Sequence, residues 1–299
     1  MRKSFTLTVI SLAAFGLIQT VVAGPERIDN SKDKFVAPAP VCDPRWYISL
    51  GGSTDFPFGD FSNGVSEDIN GEADLDVLSR DYDDVYSNWW DVKAEVGYVL
   101  TNHIELFGNF QYTHAESKIV TGSVLDFGFF DLEFVSQYGD YNSYGGELGI
   151  RYFFMDKEAR IRPYVSISGG ATFVDSIGLR AETEFFGNNI TAYDGPFYQD
   201  TVVGTATALF GVEFQVIPCK FSVGIDAGVR WQSELDGDDS GFQDFLATAN
   251  TAIAARRGTN IVSQGSGFSS DLTAALSKLN NGDDNHFSIP VTIYAKFRF

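Results

Sequence analysis

The sequence predicts an all-β fold: an eight-stranded antiparallel up-and-down transmembrane β-barrel with long extracellular loops, the last of them partly helical. Three observations carry this prediction. The final stretch, 287–299, alternates apolar and polar residues throughout, which gives one strand two chemically different faces. An export signal opens the chain, and its strand-like segments are joined alternately by short turns and long polar connections. Half-apolar strands of this kind suit a barrel with lipid outside and polar groups inside.

The first 23 residues form a predicted signal peptide, with two basic residues, an apolar stretch and small residues at 21–23. Removing its two basic residues takes the net charge from −19 to −21, which makes nucleic acid an unsuitable partner. Residues 24–44 contain four prolines and no periodicity. We therefore expect a disordered periplasmic leader there, followed by the barrel at 45–299.

Eight segments alternate between apolar and polar residues, which matches the smallest even-numbered membrane barrel. Aromatic residues gather at both ends of these segments, as they do at the two membrane–water interfaces. The predicted strands are Trp46–Ser53, Trp90–Leu100, Ile104–Tyr112, Glu147–Phe154, Arg162–Phe173, Val202–Gln215, Phe221–Gln232 and Phe287–Phe299.

Four long connections, at 54–88, 117–142, 176–198 and 235–285, are predicted to lie outside the cell, because short turns belong on the periplasmic side. The second and third of them have the composition of β-hairpins. The last carries helix-capping serines before apolar stripes, which predicts two helices. The first holds ten acidic residues against one base, which is typical of a solvated surface, with weak divalent-cation binding as the alternative.

The inward positions of the strands carry six acids and six bases, although the chain as a whole is strongly acidic. Eight strands leave room only for packed side chains, and charges so confined must pair. We expect an ion-pair network that closes the lumen, in which Asp226 reaches Lys296 or another base; the alternative is a wet, weakly selective pore. The predicted members are Asp91, Lys93, Glu95, Glu105, Glu147, Arg151, Arg162, Glu213, Asp226, Arg230, Lys296 and Arg298.

The pattern resembles the small eight-stranded bacterial outer-membrane barrels: the OmpA transmembrane domain and the OmpX-like and OmpW-like proteins. The resemblance lies in the strand pattern and covers nearly all of the mature chain. It implies the outer membrane of a Gram-negative bacterium, with lipid and lipopolysaccharide around the barrel and the barrel assembly machinery as a partner. In such proteins a terminal Phe behind alternating apolar residues is the assembly signal, which here falls on Phe297 and Phe299.

The two cysteines would lie in an oxidising compartment. Cys42 precedes the first strand, and Cys219 lies in the turn between the sixth and seventh strands, so both belong to the periplasmic rim. We expect them to form a disulfide, and two independent thiols are the alternative.

A second candidate site imitates part of a calcium loop. Asp236, Asp238, Ser240 and Asp244 occupy its first, third, fifth and ninth positions, but the twelfth position lacks the usual carboxylate. The same residues would also be explained by a helix that begins there, because acidic side chains are favourable at a helix N-terminus.

His286 and Ser288 resemble, slightly, the His-x-Ser of lipid A deacylases. Both are predicted to face inward, however, and no carboxylate follows them. The sequence therefore favours a non-enzymatic barrel without a cofactor, whose surface loops serve a structural or recognition role toward an extracellular ligand or host surface. A narrow channel for small or hydrophobic solutes is the alternative, and a lipid-modifying enzyme comes third.

Overall fold

The computed structural model describes residues 44–69, 73–126, 131–185, 188–237, 278–279 and 285–299. Within them the chain forms strands and one short helix, α1. The elements in chain order are β1 (Trp46–Phe58), β2 (Asp60–Ser62), β3 (Val65–Ile69), β4 (Ala73–Val77), β5 (Arg80–Asp81), α1 (Tyr82–Val85), β6 (Tyr86–Val99), β7 (Ile104–Ser117), β8 (Ile119–Asp126), β9 (Asp131–Tyr138), β10 (Tyr141–Phe153), β11 (Ile161–Val174), β12 (Ile177–Phe185), β13 (Asn188–Tyr198), β14 (Thr201–Ile217), β15 (Phe221–Gln232) and β16 (His286–Arg298).

Eight of these strands close into an antiparallel barrel in the order β1-β16-β15-β14-β11-β10-β7-β6. The first and last strands complete the ring: Tyr47 lies opposite Arg298, and Phe58 lies opposite Phe287. Along β16 buried and exposed residues alternate, with the polar series inside and the apolar series outside. The predicted eight-stranded antiparallel barrel is therefore confirmed.

Several barrel strands are longer than the sequence predicted. β1 continues to Phe58 instead of ending at Ser53, and β7 continues to Ser117. The added residues are polar enough to look like loop, yet they pair with neighbouring strands, as Thr113 does with Ser143. Pairing satisfies their backbone groups whatever their side chains are, so the sheet extends beyond the predicted ends.

Large apolar side chains cover the outside of the barrel. Leu148, Val202 and Ile293 are each 66–77% exposed. Aromatic side chains meet near the strand ends, for example Trp46 and Tyr98 with ring centroids 5.0 Å apart. A continuous apolar band between aromatic girdles is the outer surface of a membrane barrel. Within the part of the chain that the structure describes, no helix is long and apolar enough to cross a membrane.

The connections at one end of the barrel form a second sheet of six strands, in the order β13-β12-β9-β8-β4-β3. Its hairpins β8–β9 and β12–β13 confirm the predicted hairpin connections. The contribution of β3 and β4 was not predicted, because their acidic residues were read as a solvated loop. The strands form because Val65 and Leu75 turn inward and are buried, while the acids turn outward.

A row of aspartates crosses four neighbouring strands of this sheet, with one residue on each strand. Asp68 lies opposite Asp74, Asp74 opposite Asp126, and Asp126 opposite Asp131. Directly opposed residues of an antiparallel pair lie on the same face, with Cβ atoms about 4.5–5.5 Å apart. We call this row the aspartate row; its like charges repel one another across the strands.

A hydrophobic cluster, here called the outer core, lies between the second sheet and the barrel strands. Phe61 occupies its centre and makes edge-to-face contacts with Tyr82 and Tyr138 at centroid distances of 5.1 and 5.0 Å. Burial raises the pKa of both tyrosines. The outer core consists of Phe61, Val65, Leu75, Tyr82, Val85, Tyr86, Trp89, Ala115, Val120, Tyr138, Tyr141, Val174, Ile177, Leu179, Tyr193, Phe197, Tyr198, Val203, Leu235 and Leu279.

Three expectations concern residues outside those that the structure describes. They are the signal peptide at 1–23, the periplasmic leader as far as residue 43, and the helices of the last connection between residues 240 and 277. These three stay predictions.

Candidate functional site: the lumen

The most densely charged part of the lumen lies near the end of the barrel with the short turns. The Lys296 ammonium lies 2.9 Å from a Glu105 oxygen and 2.7 Å from a Glu213 oxygen. Arg162 and Arg298 each contact the same two carboxylates. All five side chains are at most 6% exposed. Two carboxylates and three bases therefore contact one another here in place of water.

Arg151 extends this network to a further strand. Its two terminal nitrogens donate to the two oxygens of Glu95 at 2.9 and 3.0 Å, which is the strong bidentate geometry. One of them also lies 3.6 Å from Glu105. The guanidinium group faces the Tyr164 ring at 4.8 Å, which adds a cation–π contact. These groups form what we call the inner layer: Glu95, Glu105, Arg151, Arg162, Glu213, Lys296 and Arg298.

A second group of charges, the outer layer, lies nearer the outer core. Arg230 Nη1 lies 2.6 Å from Asp55 and 3.5 Å from Asp91, and its Nη2 donates to Gln111 at 2.8 Å. Asp55 was assigned to the first loop from the sequence, but it lies on β1 and faces the lumen. The alternation of Phe56 and Phe58 on the lipid face could have revealed this, because it continues the outward series of β1.

Three predicted members of the network make no ion pair within the described residues: Lys93, Glu147 and Asp226. Glu147 accepts hydrogen bonds from Ser168 at 2.7 Å and Thr207 at 2.8 Å.

The expected approach of Asp226 to Lys296 is wrong. Asp226 accepts a hydrogen bond from the Tyr164 hydroxyl at 2.6 Å. The register explains the difference: Asp226 lies opposite Thr292, whereas Lys296 lies opposite Ser222. Four residues along a strand separate the two levels by about 13 Å.

A small polar cavity, here called the middle chamber, lies between the two layers. It offers about 20 Å³ to occupants the size of a water molecule, whereas a single water needs about 10–15 Å³. Its lining is polar apart from two glycines and consists of Asn109, Gln111, Thr113, Ser143, Gly145, Gly146, Glu147, Thr172, Thr205, Arg230 and Gln232. The lumen thus contains a polar chamber with room for water, bordered by Arg230 of the outer layer.

His286 and Ser288 both face inward at the outer end of β16, as the sequence predicted, and both are buried. The His286 ring packs against the Tyr82 ring of the outer core, with centroids 4.4 Å apart and an angle of 31° between the ring planes. The Ser288 hydroxyl lies 3.5 Å from Asp55. The two side chains are packing elements of the closed outer end, and neither faces a surface that a lipid could reach.

The remaining candidate residues are only partly described. Cys219 is disulfide-bonded, but Cys42 lies outside the described residues, so the Cys42–Cys219 pairing stays a prediction. Asp236 accepts a hydrogen bond from Thr201 at 2.8 Å; the other three residues of the possible calcium loop, Asp238, Ser240 and Asp244, are not among the described residues.

Two features at the surface belong with these candidates. Phe297 and Phe299 lie on the outer face with stacked rings 6.4 Å apart. Asp81, Asp83 and Asp84 at the start of α1 are exposed, with carboxylate oxygens within 4.8 Å of one another.

A closed eight-stranded antiparallel barrel with an apolar exterior and a charged lumen defines a membrane barrel of the outer-membrane type. Several solved structures are similar to it. They include neisserial surface protein A (12% identity, TM-score 0.35, covering 85% of this chain and 97% of that one). Ail of Yersinia pestis has 12% identity and a TM-score of 0.36, covering 86% and 99%. The outer membrane protease OmpT of Escherichia coli has 10% identity and a TM-score of 0.35, covering 87% and 98%.

These likenesses concern the barrel fold and say nothing of a shared activity. No protein-family model matches the sequence, and no curated protein matches it significantly.

Proposed function

We propose that this protein is a non-enzymatic outer-membrane barrel with a closed lumen, which holds a folded acidic β-structure at the cell surface for a structural or recognition role. The observation that carries the proposal is the inner layer. Seven charged side chains from six strands meet there and are almost fully buried. Charges bound to one another in this way leave no continuous path for ions or solutes.

The outer end of the lumen supports the same proposal. Outer-core side chains from the connections pack over the barrel mouth, and Tyr82 covers His286. The second sheet continues from this core. The barrel therefore acts as a rigid base, and the acidic sheet is the part that an extracellular partner would meet.

The location rests on the apolar outer band and on the predicted signal peptide at 1–23. Outer-membrane lipid and lipopolysaccharide would surround the barrel, and the barrel assembly machinery would recognise the strand that ends in Phe297 and Phe299. The absence of an enzymatic role rests on the lumen: His286 and Ser288 are buried beneath the outer core, and the acids of the inner layer are bound by bases.

Current recordings in planar bilayers test the closed lumen. We expect the unmutated protein to show no steady unit conductance, with insertion checked independently by its resistance to alkaline extraction from the same lipid. Large, steady openings would reject the proposal in favour of the channel alternative.

Protease treatment of intact cells tests the orientation. Cleavage should fall within the last connection, 235–285, and leave the barrel strands whole. Cuts confined to 24–44 would show that the barrel is inserted the other way round.

A further inference from the structure

The pairing between β15 and β16 is interrupted near the outer end of the barrel. The gap consists of Gly228 and Val229 on β15 and Ile289 and Pro290 on β16. The pairs before and after the gap keep one register, so no inserted residue causes it. All four residues pair with the strand on their other side, which is β14 for the first two and β1 for the last two. The interruption therefore belongs to this one seam of the barrel wall.

Pro290 explains the gap, because a proline has no backbone N–H to donate. Pairing between β16 and β1 continues past this residue, so the missing donor is on the side of β15. Gly228, across the seam, lies close against β14: a Cβ atom there would be 1.9 Å from the carbonyl oxygen of Ala208. Within a sheet, proline is ordinarily confined to edge strands and bulges, and an unpaired backbone group is costly in lipid. The seam is therefore weakened here although the barrel is closed.

Three residue pairs lie on the outer side of the gap. We call them the outer seam: Arg230 with Ser288, Trp231 with Phe287, and Gln232 with His286. β15 ends and β16 begins with the last of these pairs, so the outer seam is a short ladder between a gap and a strand end. Local opening costs less free energy where fewer contacts must be broken. The outer seam can therefore open while the rest of the barrel stays paired.

Arg230 holds the outer seam closed from inside the lumen. Its Nη1 atom donates to Asp55 at 2.6 Å and lies 3.5 Å from Asp91. β16 lies between β15 and β1 in the barrel, so the ion pair of Arg230 with Asp55 joins the strands on either side of β16. On the outer face the Phe287 ring stacks on Phe58 of β1, with centroids 5.8 Å apart. The outer end of β16 is thus bound to β1, and Arg230 links both strands to β15.

We propose that the outer seam is a hinged opening in the barrel wall, with Pro290 as its hinge and the Arg230–Asp55 ion pair as its latch. When the latch is released, β15 separates from the outer end of β16, and β16 stays paired with β1. Ser288 then meets water, and so does the middle chamber, which Arg230 borders. The inner layer lies deeper in the lumen and stays closed, so the hinged opening makes no path across the membrane.

Thiol labelling of cysteine variants measures this opening in the protein folded in detergent micelles. Ser288→Cys places a thiol on the inward face of the outer seam, and Thr292→Cys places one on the same face of β16 beyond the gap. The two native side chains are equally well buried, at 3% and 5% exposure. We expect a water-soluble maleimide to label the Ser288→Cys variant about tenfold faster or more, because local opening exposes only that thiol. The unmutated protein gives the background from the native cysteines.

Two further variants, each made in the Ser288→Cys protein, test the hinge and the latch. Pro290→Val restores the missing N–H with a side chain of similar size and should slow labelling about two- to tenfold, as one added hydrogen bond does. Asp55→Asn weakens the latch and should speed labelling by a similar factor. Glu158→Gln removes an exposed acid from a short turn at the other end of the barrel, so it is the control and should leave the rate unchanged.

Circular dichroism before labelling shows which variants are folded, and Asp55→Asn alone suffices if Pro290→Val does not fold. Equal labelling of the Ser288→Cys and Thr292→Cys variants would overturn the proposal. So would a labelling rate that the folded hinge and latch variants leave unchanged. The outcome is independent of the conductance test, because a barrel whose inner layer is closed can have this opening or lack it.

Discussion

Lys296→Met removes the ammonium group that joins Glu105 to Glu213, and it leaves a side chain of similar length in the same place. Lys296 is fully buried, with contacts of 2.9 and 2.7 Å to the two carboxylates. At an effective dielectric constant of about 20, the Coulomb attraction in each contact is about 6 kcal/mol before desolvation and repulsion are subtracted. Desolvation of the ammonium group and repulsion from neighbouring arginines offset most of this.

The net expectation is a loss of about 3–5 kcal/mol in the free energy of unfolding, which is typical of a buried ion pair that loses one partner. Reversible unfolding by urea in lipid vesicles, followed by tryptophan fluorescence, measures it. The double variant Lys296→Met with Glu213→Gln removes one charge of each sign. It should be less stable than Lys296→Met alone, because it leaves two carboxylates facing three guanidinium groups, whereas Lys296→Met leaves three of each.

Glu133→Gln is the matched control for Lys296→Met. Glu133 is exposed on the second sheet, so its variant should differ from the unmutated protein by less than about 0.5 kcal/mol. If Lys296→Met costs no more than this control, or if the double variant is the more stable of the two, the inner layer does not hold the barrel together.

Three further predictions concern other parts of the chain. Mass spectrometry without reduction should find one Cys42–Cys219 bridge, and two alkylatable thiols would reject it. Asp74→Asn should raise the stability of the second sheet by about 0.2–1 kcal/mol, because it removes repulsion between opposed aspartates. A lower free energy of unfolding, measured by chemical denaturation, would contradict this. Burial raises the pKa of Tyr82, so its contribution to stability is complete below about pH 10, where unfolded tyrosine ionises, and decreases above it. Ultraviolet titration of tyrosinate should therefore show delayed ionisation that Tyr82→Phe reduces.

The alternation of residues was sufficient to predict the barrel, because each strand must meet lipid on one face and polar groups on the other. The same rule identified the inward charges, since a period of two assigns every side chain to a face. It did not predict which charges meet. Asp226 and Lys296 lie on neighbouring strands, but the register separates them along the strand axis, and register is not contained in the alternation of either strand alone.

The pairing of strands from different connections could not be predicted from the sequence either. β4 and β8 belong to different connections, yet Leu75 lies opposite Leu125. β4 taken by itself is short and acidic, which is the composition of a loop, whereas β8 was predicted as part of a separate hairpin. Leu75 and Val120 are both buried in the outer core, and a single sequence does not show which segments share a core.

The aspartate row indicates that the second sheet is not arranged for stability alone. Opposed like charges lower the stability of a sheet, and a neutral face would avoid that cost. The aromatic outer core offsets it, because Phe61 and the tyrosines around it bury large apolar surfaces behind the strands. Lumen charges, by contrast, are largely matched with partners. The charges of the lumen thus close the barrel, whereas Asp68 and Asp74 of the aspartate row are exposed to the medium, which agrees with the proposed recognition role.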